Sequence, residues 1–404
     1  MGWISTSPMN QRIKFIARYL TNEATFTALC DEFEVSRKTG YKWVNRYDAG
    51  GASALEERSR APLTHPHAYS DDIVTSVVAV RQEFPRWGAR KLLALLQRRY
   101  PDTKFPEPST VNDMLSKRGL LAMKGRSKTL SSEYKTPLRN YDAPNSVWCA
   151  DFKGHFPVGG RRCHPLTVSD GYSRFLLECH ALKWPRFAQS KLVFERVFRN
   201  YGLPEFIRTD NGPPFSSLAV AGLSDLAVWW LRLGIMPERI LPGRPDQNGR
   251  HERMHRTLKA ETASPAESSF SRQQRRFNEF RQLYNFERPH EGIGQRTPSE
   301  LYKRSSREFP TRLPEPEYPS HFAVERAYSN GHVRHDGISW YVSTSLKGEL
   351  LGLESLSDGR WCVYFSKLPL GILDPKHHRD LKHERVGRVL PLDGVVWSAR
   401  PHRA

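Results

Sequence analysis

Three carboxylates stand in three different kinds of local sequence: Asp151 in VWCADFKGHF, Asp210 in FIRTDNGPPF and Glu252 in PDQNGRHERMHRTLKAE. Oxygen-only donors of this kind favour Mg²⁺, with Mn²⁺ able to substitute, over zinc. Two such ions held roughly 4 Å apart deprotonate an attacking hydroxyl, stabilise a pentacoordinate phosphorus and bind the leaving oxygen. The trio therefore reads as a metal-dependent polynucleotide active site. Taken singly, each acid is an ordinary turn or surface charge; their joint occurrence in a basic chain points to the site.

The elements that must position them are legible. Asp151 and Asp210 each end an apolar, strand-like run, the second just before an Asn-Gly turn. Glu252 falls in the first turn of a helix that follows a Pro- and Gly-containing loop. A strand end gives a bridging ligand rigidity, which favours Asp151 for that role. On the helix, Arg256 and Lys259 follow Glu252 on one face, where both could grip phosphates. The same spacing also describes a solvated face with a Glu252–Arg256 ion pair.

His251-Glu252-Arg253-Met254-His255 also matches H-E-x-x-H, in which two histidines bind zinc and the acid is a general base. Arg250, Arg253 and Arg256 would repel that zinc, and the motif leaves Asp151 and Asp210 without a role. No Gly-x-x-x-x-Gly-Lys phosphate loop is present, so no nucleotide cofactor is expected.

The charge balance agrees with a polyanionic partner. Sixty-two Lys and Arg against 43 Asp and Glu give the 404-residue chain a formal +19, which predicts strong, salt-sensitive attraction to nucleic acid. No run approaches the ~20 apolar residues that cross a bilayer, and the start MGWISTSPMNQR lacks a secretory apolar core. No membrane partner is expected, and the expected location is the cytoplasm, associated with the nucleoid. The five cysteines include no C-x-x-C pair and read as reduced, buried thiols.

Patterning divides the chain into an α/β centre flanked by helical and β-rich segments. Residues 1–60 carry three short helices; Ser36 caps the third, on which Lys38, Lys42, Asn45 and Arg46 share a face while Trp43, Val44 and Tyr47 pack inward. That is a helix-turn-helix arrangement. Residues 68–123 form a second helical DNA-binding domain, with stripes Ile73, Val77, Val80, Phe84 and Ala89, Leu92, Leu93, Leu96. A basic linker spans 124–144. From 145 to 305 strands alternate with helices, and 318–375 has short alternating runs parted by SNG, HDG and SDG turns, which predict a small antiparallel β-barrel. A basic tail occupies 376–404.

With these motifs in place, the chain resembles the bacterial insertion-sequence transposases that share the retroviral-integrase DDE core. WCADFKGHF, RTDNGPPF and PDQNGRHERMHRTLKAE carry the three acids, and YNFERPHEGIGQRTPSELY resembles the closing core motif. The resemblance implies an RNase H-like core with Asp151, Asp210 and Glu252 as catalytic metal ligands. It sets Asn248, Arg256 and Lys259 against the DNA end. The step from Asp210 to Glu252 is longer than in retroviral integrases, and helix-turn-helix units stand where those enzymes carry a His/Cys zinc module. Implied in turn are Mg²⁺-dependent 3′-end cleavage and strand transfer, double-stranded DNA partners (element ends and target), and a homo-oligomer on DNA. A plain nuclease shares the ligands but makes no joined product; a non-catalytic DNA-binding regulator would not need three intact acids.

Overall fold

The computed structural model describes residues 7–57, 69–121, 138–152, 154–217, 222–240, 249–381, 384–390 and 392. The chain divides into two compact units, Met1–Ser70 and Asp71–Ala404.

The first unit is a three-helix cluster. Ser7, Thr25 and Ser36 cap α1 (Pro8–Thr21), α2 (Phe26–Glu32) and α3 (Arg37–Gly50), each accepting a backbone N–H in the first turn. Phe15, Ile16, Leu29, Cys30, Trp43, Val44 and Leu55 close the core. Gly40 allows the close approach of α2 and α3, because a Cβ there would lie 2.8 Å from the Cys30 sulfur and 2.9 Å from the Phe26 ring.

The second unit begins with three more helices, α4 (Asp71–Glu83), α5 (Ala89–Arg99) and α6 (Pro108–Lys117). Val77, Val80, Leu92, Leu96, Val111 and Leu115 form their core, with Phe84 stacked on Trp87. Buried Arg81 ties the trihelix together by donating to the carbonyls of Trp87 and Leu120.

The central domain is a mixed sheet. β1 (Val147–Phe152) pairs antiparallel with β3 (Arg161–Asp170) and parallel with β5 (Phe206–Thr209), which pairs parallel with β6 (Met236–Arg239). β2 (Phe156–Val158) continues along β1's side of β3, and β4 (Leu176–Leu182) takes the other side. An antiparallel half joined to a parallel half at β1 is the RNase H-like arrangement. Alternation along β1 sends Trp148 and Ala150 to one face and Cys149 and Asp151 to the other. The Trp148 face is covered by α7 (Phe187–Tyr201) and α8 (Asp225–Arg232). The opposite face carries α9 (Gly249–Thr262) and α10 (Phe270–Gln282), through Met254, Leu258, Phe277 and Phe280 packed on Cys163, Leu176 and Cys179. A π turn at Leu283–Glu287 extends α10.

α8 is apolar on every side, as a helix buried from both directions must be. Leu226, Trp229 and Trp230 enter the sheet core, and Ala227, Val228 and Leu231 enter a second core shared with the C-terminal strands. Those strands correct the barrel expectation for 318–375. β7 (Ala323–Arg326), β10 (Leu350–Ser355), β11 (Trp361–Phe365) and β12 (Leu368–Leu373) form one four-stranded sheet; β8 (His332–His335), β9 (Ile338–Tyr341), β13 (His378–Leu381) and β14 (Glu384–Arg388) form another. No closed barrel is found among the described residues. α8 supplies one wall of their common core, so the sheets need not close on themselves to bury it. Two of these strands, β13 and β14, lie within 376–404 and are polar; strand pairing rather than hydrophobic patterning defines them.

Candidate active site

Asp151 and Asp210 come together through strand register. β1 and β5 run parallel with Cys149 opposite Arg208, so the next positions on that face are Asp151 and Asp210, on strands about 4.8 Å apart. Both side chains are half-buried. Asp210 accepts from the Gly212 N–H at 3.1 Å, and burial pushes its carboxyl up from the ordinary range against that hydrogen bond. Arg208, beneath it on β5, is buried and held by Glu238 (2.6 Å), the Tyr141 hydroxyl (2.5 Å) and the Arg139 carbonyl (2.6 Å). These bonds fix the strand end from which Asp210 projects.

α9 brings Glu252 to the same face. His251, Met254, His255 and Leu258 are its buried stripe, while Glu252, Arg256 and Lys259 are exposed on its flank. Glu252 precedes by one helical turn His255, whose Nδ1 lies 3.6 Å from Asp151 Oδ2. Among the described residues no ion pair joins Glu252 to Arg256, and both side chains are exposed.

Beneath α9 is a polar relay that sequence reasoning missed. The Thr167 hydroxyl, opposite Asp151 on β3, lies 2.7 Å from both His251 Nε2 and His255 Nε2. Ser169 Oγ is 3.0 Å from His251 Nδ1. The Thr167 hydroxyl donates to the Asp151 carbonyl at 3.1 Å and so accepts from both imidazoles, while His255 Nδ1 lies 3.6 Å from the Asp151 carboxylate. The i, i+4 histidines were the visible signal, but only as a zinc motif. Three of their four ring nitrogens are hydrogen-bonded to side chains of β3 and the fourth faces Asp151, so the pair is built as an internal support. Asp151, His251 and His255 do bring ligand-type atoms within 4.8 Å of one another.

Asp151 and Asp210 follow the paired register of neighbouring parallel strands, and a cation held beside Asp210 would offset the burial that disfavours its charged form.

The remaining candidates are spread out. In the first unit Lys38 and Lys42 are exposed on α3, and Lys42 and Arg46 lie 4.6 and 4.9 Å from the Trp43 ring centre. Arg46 also donates to the Glu56 carbonyl at 3.4 Å. Asn248 lies outside the described residues. No helix among the described residues is long and apolar enough to cross a membrane.

Comparison with known proteins follows the same lines. Integrase core domain families match residues 142–245 and 233–298, a Helix-turn-helix domain matches 11–62, and a Homeodomain-like domain matches 39–115. The chain is 26% identical over 240 residues to the insertion element IS407 uncharacterized 31.7 kDa protein of Burkholderia multivorans, covering 58% of this chain and 82% of that one. It is 25% identical over 254 residues to the insertion element IS476 uncharacterized 39.2 kDa protein of Xanthomonas euvesicatoria, covering 62% and 71%. Among solved structures, the HTLV-2 integrase catalytic core domain in complex with magnesium aligns at 17% identity and a TM-score of 0.32, over 40% of this chain and 99% of that one. The matched domains give this chain an integrase core with helix-turn-helix sequence ahead of it, and the chain is similar to proteins of bacterial insertion elements.

Proposed function

We propose that the chain is a DNA transposase that binds the terminal inverted repeats of its element, frees a 3′-hydroxyl at each end and joins it to target DNA. The observation that carries this reading is the juxtaposition of Asp151 and Asp210 on adjacent parallel strands, with Glu252 on the helix packed over the same sheet face.

In the first step water attacks a phosphodiester at the element end, and the bond to the 3′ oxygen breaks to leave a 3′-hydroxyl. In the second that hydroxyl attacks a target phosphodiester, releasing one target 3′ oxygen, so one phosphodiester is exchanged for another and no nucleotide cofactor is consumed. Asp151, Asp210 and Glu252 would hold Mg²⁺, or Mn²⁺ in its place, which activates the attacking oxygen and stabilises charge on the phosphorus and the leaving oxygen. Asp151 is kept in place by β1 and the His255 relay, and Asp210 by the Gly212 N–H. Arg256 and Lys259, exposed on α9, hold the DNA end beside the acids, with Asn248 just ahead of α9 in sequence. Residues 1–60 and 68–123 read DNA, Lys38, Lys42 and Arg46 facing it from α3; 124–144 connects them to the catalytic domain at 145–305. Joining two ends requires at least two protomers, so the chain acts as a homo-oligomer on DNA, in the cytoplasm at the nucleoid.

The test is Mg²⁺-dependent strand transfer of a labelled element-end duplex into plasmid, comparing wild type with Glu252→Gln. Joined product that disappears in the variant supports the reading. Cleavage without joining by wild type would make the chain a nuclease, and specific binding with neither reaction would make it a regulator.

A further inference from the structure

A cleft of about 570 Å³ opens between the second helical module and the sheet face under α9. Six of its cations come from four separate stretches of chain: Lys91 on α5, Arg174 at the β3–β4 turn, Arg250, Arg253 and Arg256 on α9, and Arg288 after the π turn. Ser169 and His251, two members of the relay to Asp151, also line it.

The acids in the wall are already committed. Glu261 pairs with Arg288 at 2.8 Å, Glu291 with Arg90 at 2.6 Å, and Asp170 accepts from the Asn145 N–H and from the Ser173 N–H and hydroxyl. Among the described residues Lys91, Arg174, Arg250, Arg253 and Arg256 have no carboxylate within the 4.0 Å of an ion pair. Several of these cations are partly desolvated. Burial, followed by repulsion from Arg288, lowers the Lys91 amine to about 8. Burial and Arg250 lower Arg174, whose Nε is buried without a hydrogen-bond partner. The fold also makes room for Arg174: its guanidinium occupies the space a Cβ on Gly292 would need, with Nη2 only 2.0 Å away. Cations crowded into a cleft at a cost in solvation and mutual repulsion are placed for an anion that offsets both.

We propose that this cleft is a DNA-backbone channel in which Lys91 and Arg174 grip consecutive phosphates of the strand leading away from Asp151. A lone phosphate is satisfied by two or three donors; cations gathered from four stretches of chain match a run of phosphates. The inference rests on the reading of this chain as a DNA-joining enzyme, and it names contacts outside α9 and outside the helix-turn-helix unit.

The test uses full-length protein in EDTA, so that no reaction takes place, with labelled double- and single-stranded DNA of arbitrary sequence titrated across a salt series. Lys91→Gln/Arg174→Gln is compared with Arg272→Gln/Arg275→Gln, which removes the same charge from exposed positions on α10. The cleft variant should flatten the plot of log affinity against log salt by about 2 for duplex DNA, while the α10 variant should change it much less. Equal effects of the two variants, or no effect of the first, would overturn the proposal. Lys91→Gln alone separates binding from folding: it deletes a cation the fold desolvates, so Tm should hold or rise while affinity falls. A fall in Tm accompanying the loss of affinity would also overturn it. The two readings fail separately: cleft binding without any joining by wild type sinks only the transposase, and joining with wild-type salt dependence in the double variant sinks only the cleft.

Discussion

His255 faces Asp151 across the β1 edge, its Nδ1 3.6 Å from the carboxylate, while its Nε2 sits 2.7 Å from the Thr167 hydroxyl. A residue of the H-E-x-x-H pentad thus supports an acid on a distant strand. The Thr167 and His255 side chains are buried, so each polar atom must keep its partner or bear a desolvation penalty.

Thr167→Val keeps the shape and removes the hydroxyl between two imidazoles. The expected loss of stability is about 1–3 kcal/mol, read by thermal melting, and strand transfer should fall roughly 10- to 100-fold, as when the partner of a metal ligand is lost. Raising Mg²⁺ should recover part of the activity in Thr167→Val and none in Asp151→Asn. Equal recovery in both would deny Thr167 a positioning role.

Glu252 is exposed where its neighbours His251 and His255 are buried. Glu252→Gln should therefore change stability by less than about 0.5 kcal/mol while abolishing joined product and leaving DNA binding intact. Loss of folding in this variant would show that the acid serves the helix rather than the reaction.

Within the first unit, charge and packing separate on α3. Lys38→Ala should weaken DNA binding at unchanged Tm. Arg46→Ala should lower both, because Arg46 lies over the Trp43 ring and donates to the Glu56 carbonyl. Fluorescence anisotropy together with melting curves distinguishes the two.

Lys91 supplies a pH signature. Its folded-state pKa is lowered to about 8 while the unfolded amine titrates near 10.4, so between those values the unfolded chain binds more protons and stability rises with pH. Lys91→Gln lacks that rise. The Tm advantage of the variant at pH 7 should shrink as pH approaches 10; a constant difference would mean that the amine is not held in an unfavourable environment.

The two aspartates stand out in sequence because each closes an apolar, strand-like run, and the ends of neighbouring parallel strands are where such residues meet. The stripes of α4 and α5 were readable for a related reason: one face repeats at helical spacing. Thr167 and Ser169 were not, since a hydroxyl in an apolar strand looks like a β-former until the helix packed above it is known. Lys91, Arg174 and Arg288 lie far apart in sequence, so no local pattern gathers them into a cleft. The C-terminal strands were visible as alternating runs, whereas their division into two sheets depends on α8, which belongs to another stretch of chain. Strands β13 and β14 have too little apolar alternation to stand out from a basic tail.

The all-round apolar surface of α8 ties the fate of the catalytic domain to sequence synthesised after it. A polypeptide ending near residue 305 would contain every acid and still leave Ala227, Val228 and Leu231 without the C-terminal side of their core. Such a truncated chain should bind hydrophobic dye, aggregate and be cut by protease near α8. During translation the catalytic domain should reach its protease-resistant state only after the last strands have left the ribosome. A chain truncated near residue 305 would therefore carry Asp151, Asp210 and Glu252 on a protein that does not persist.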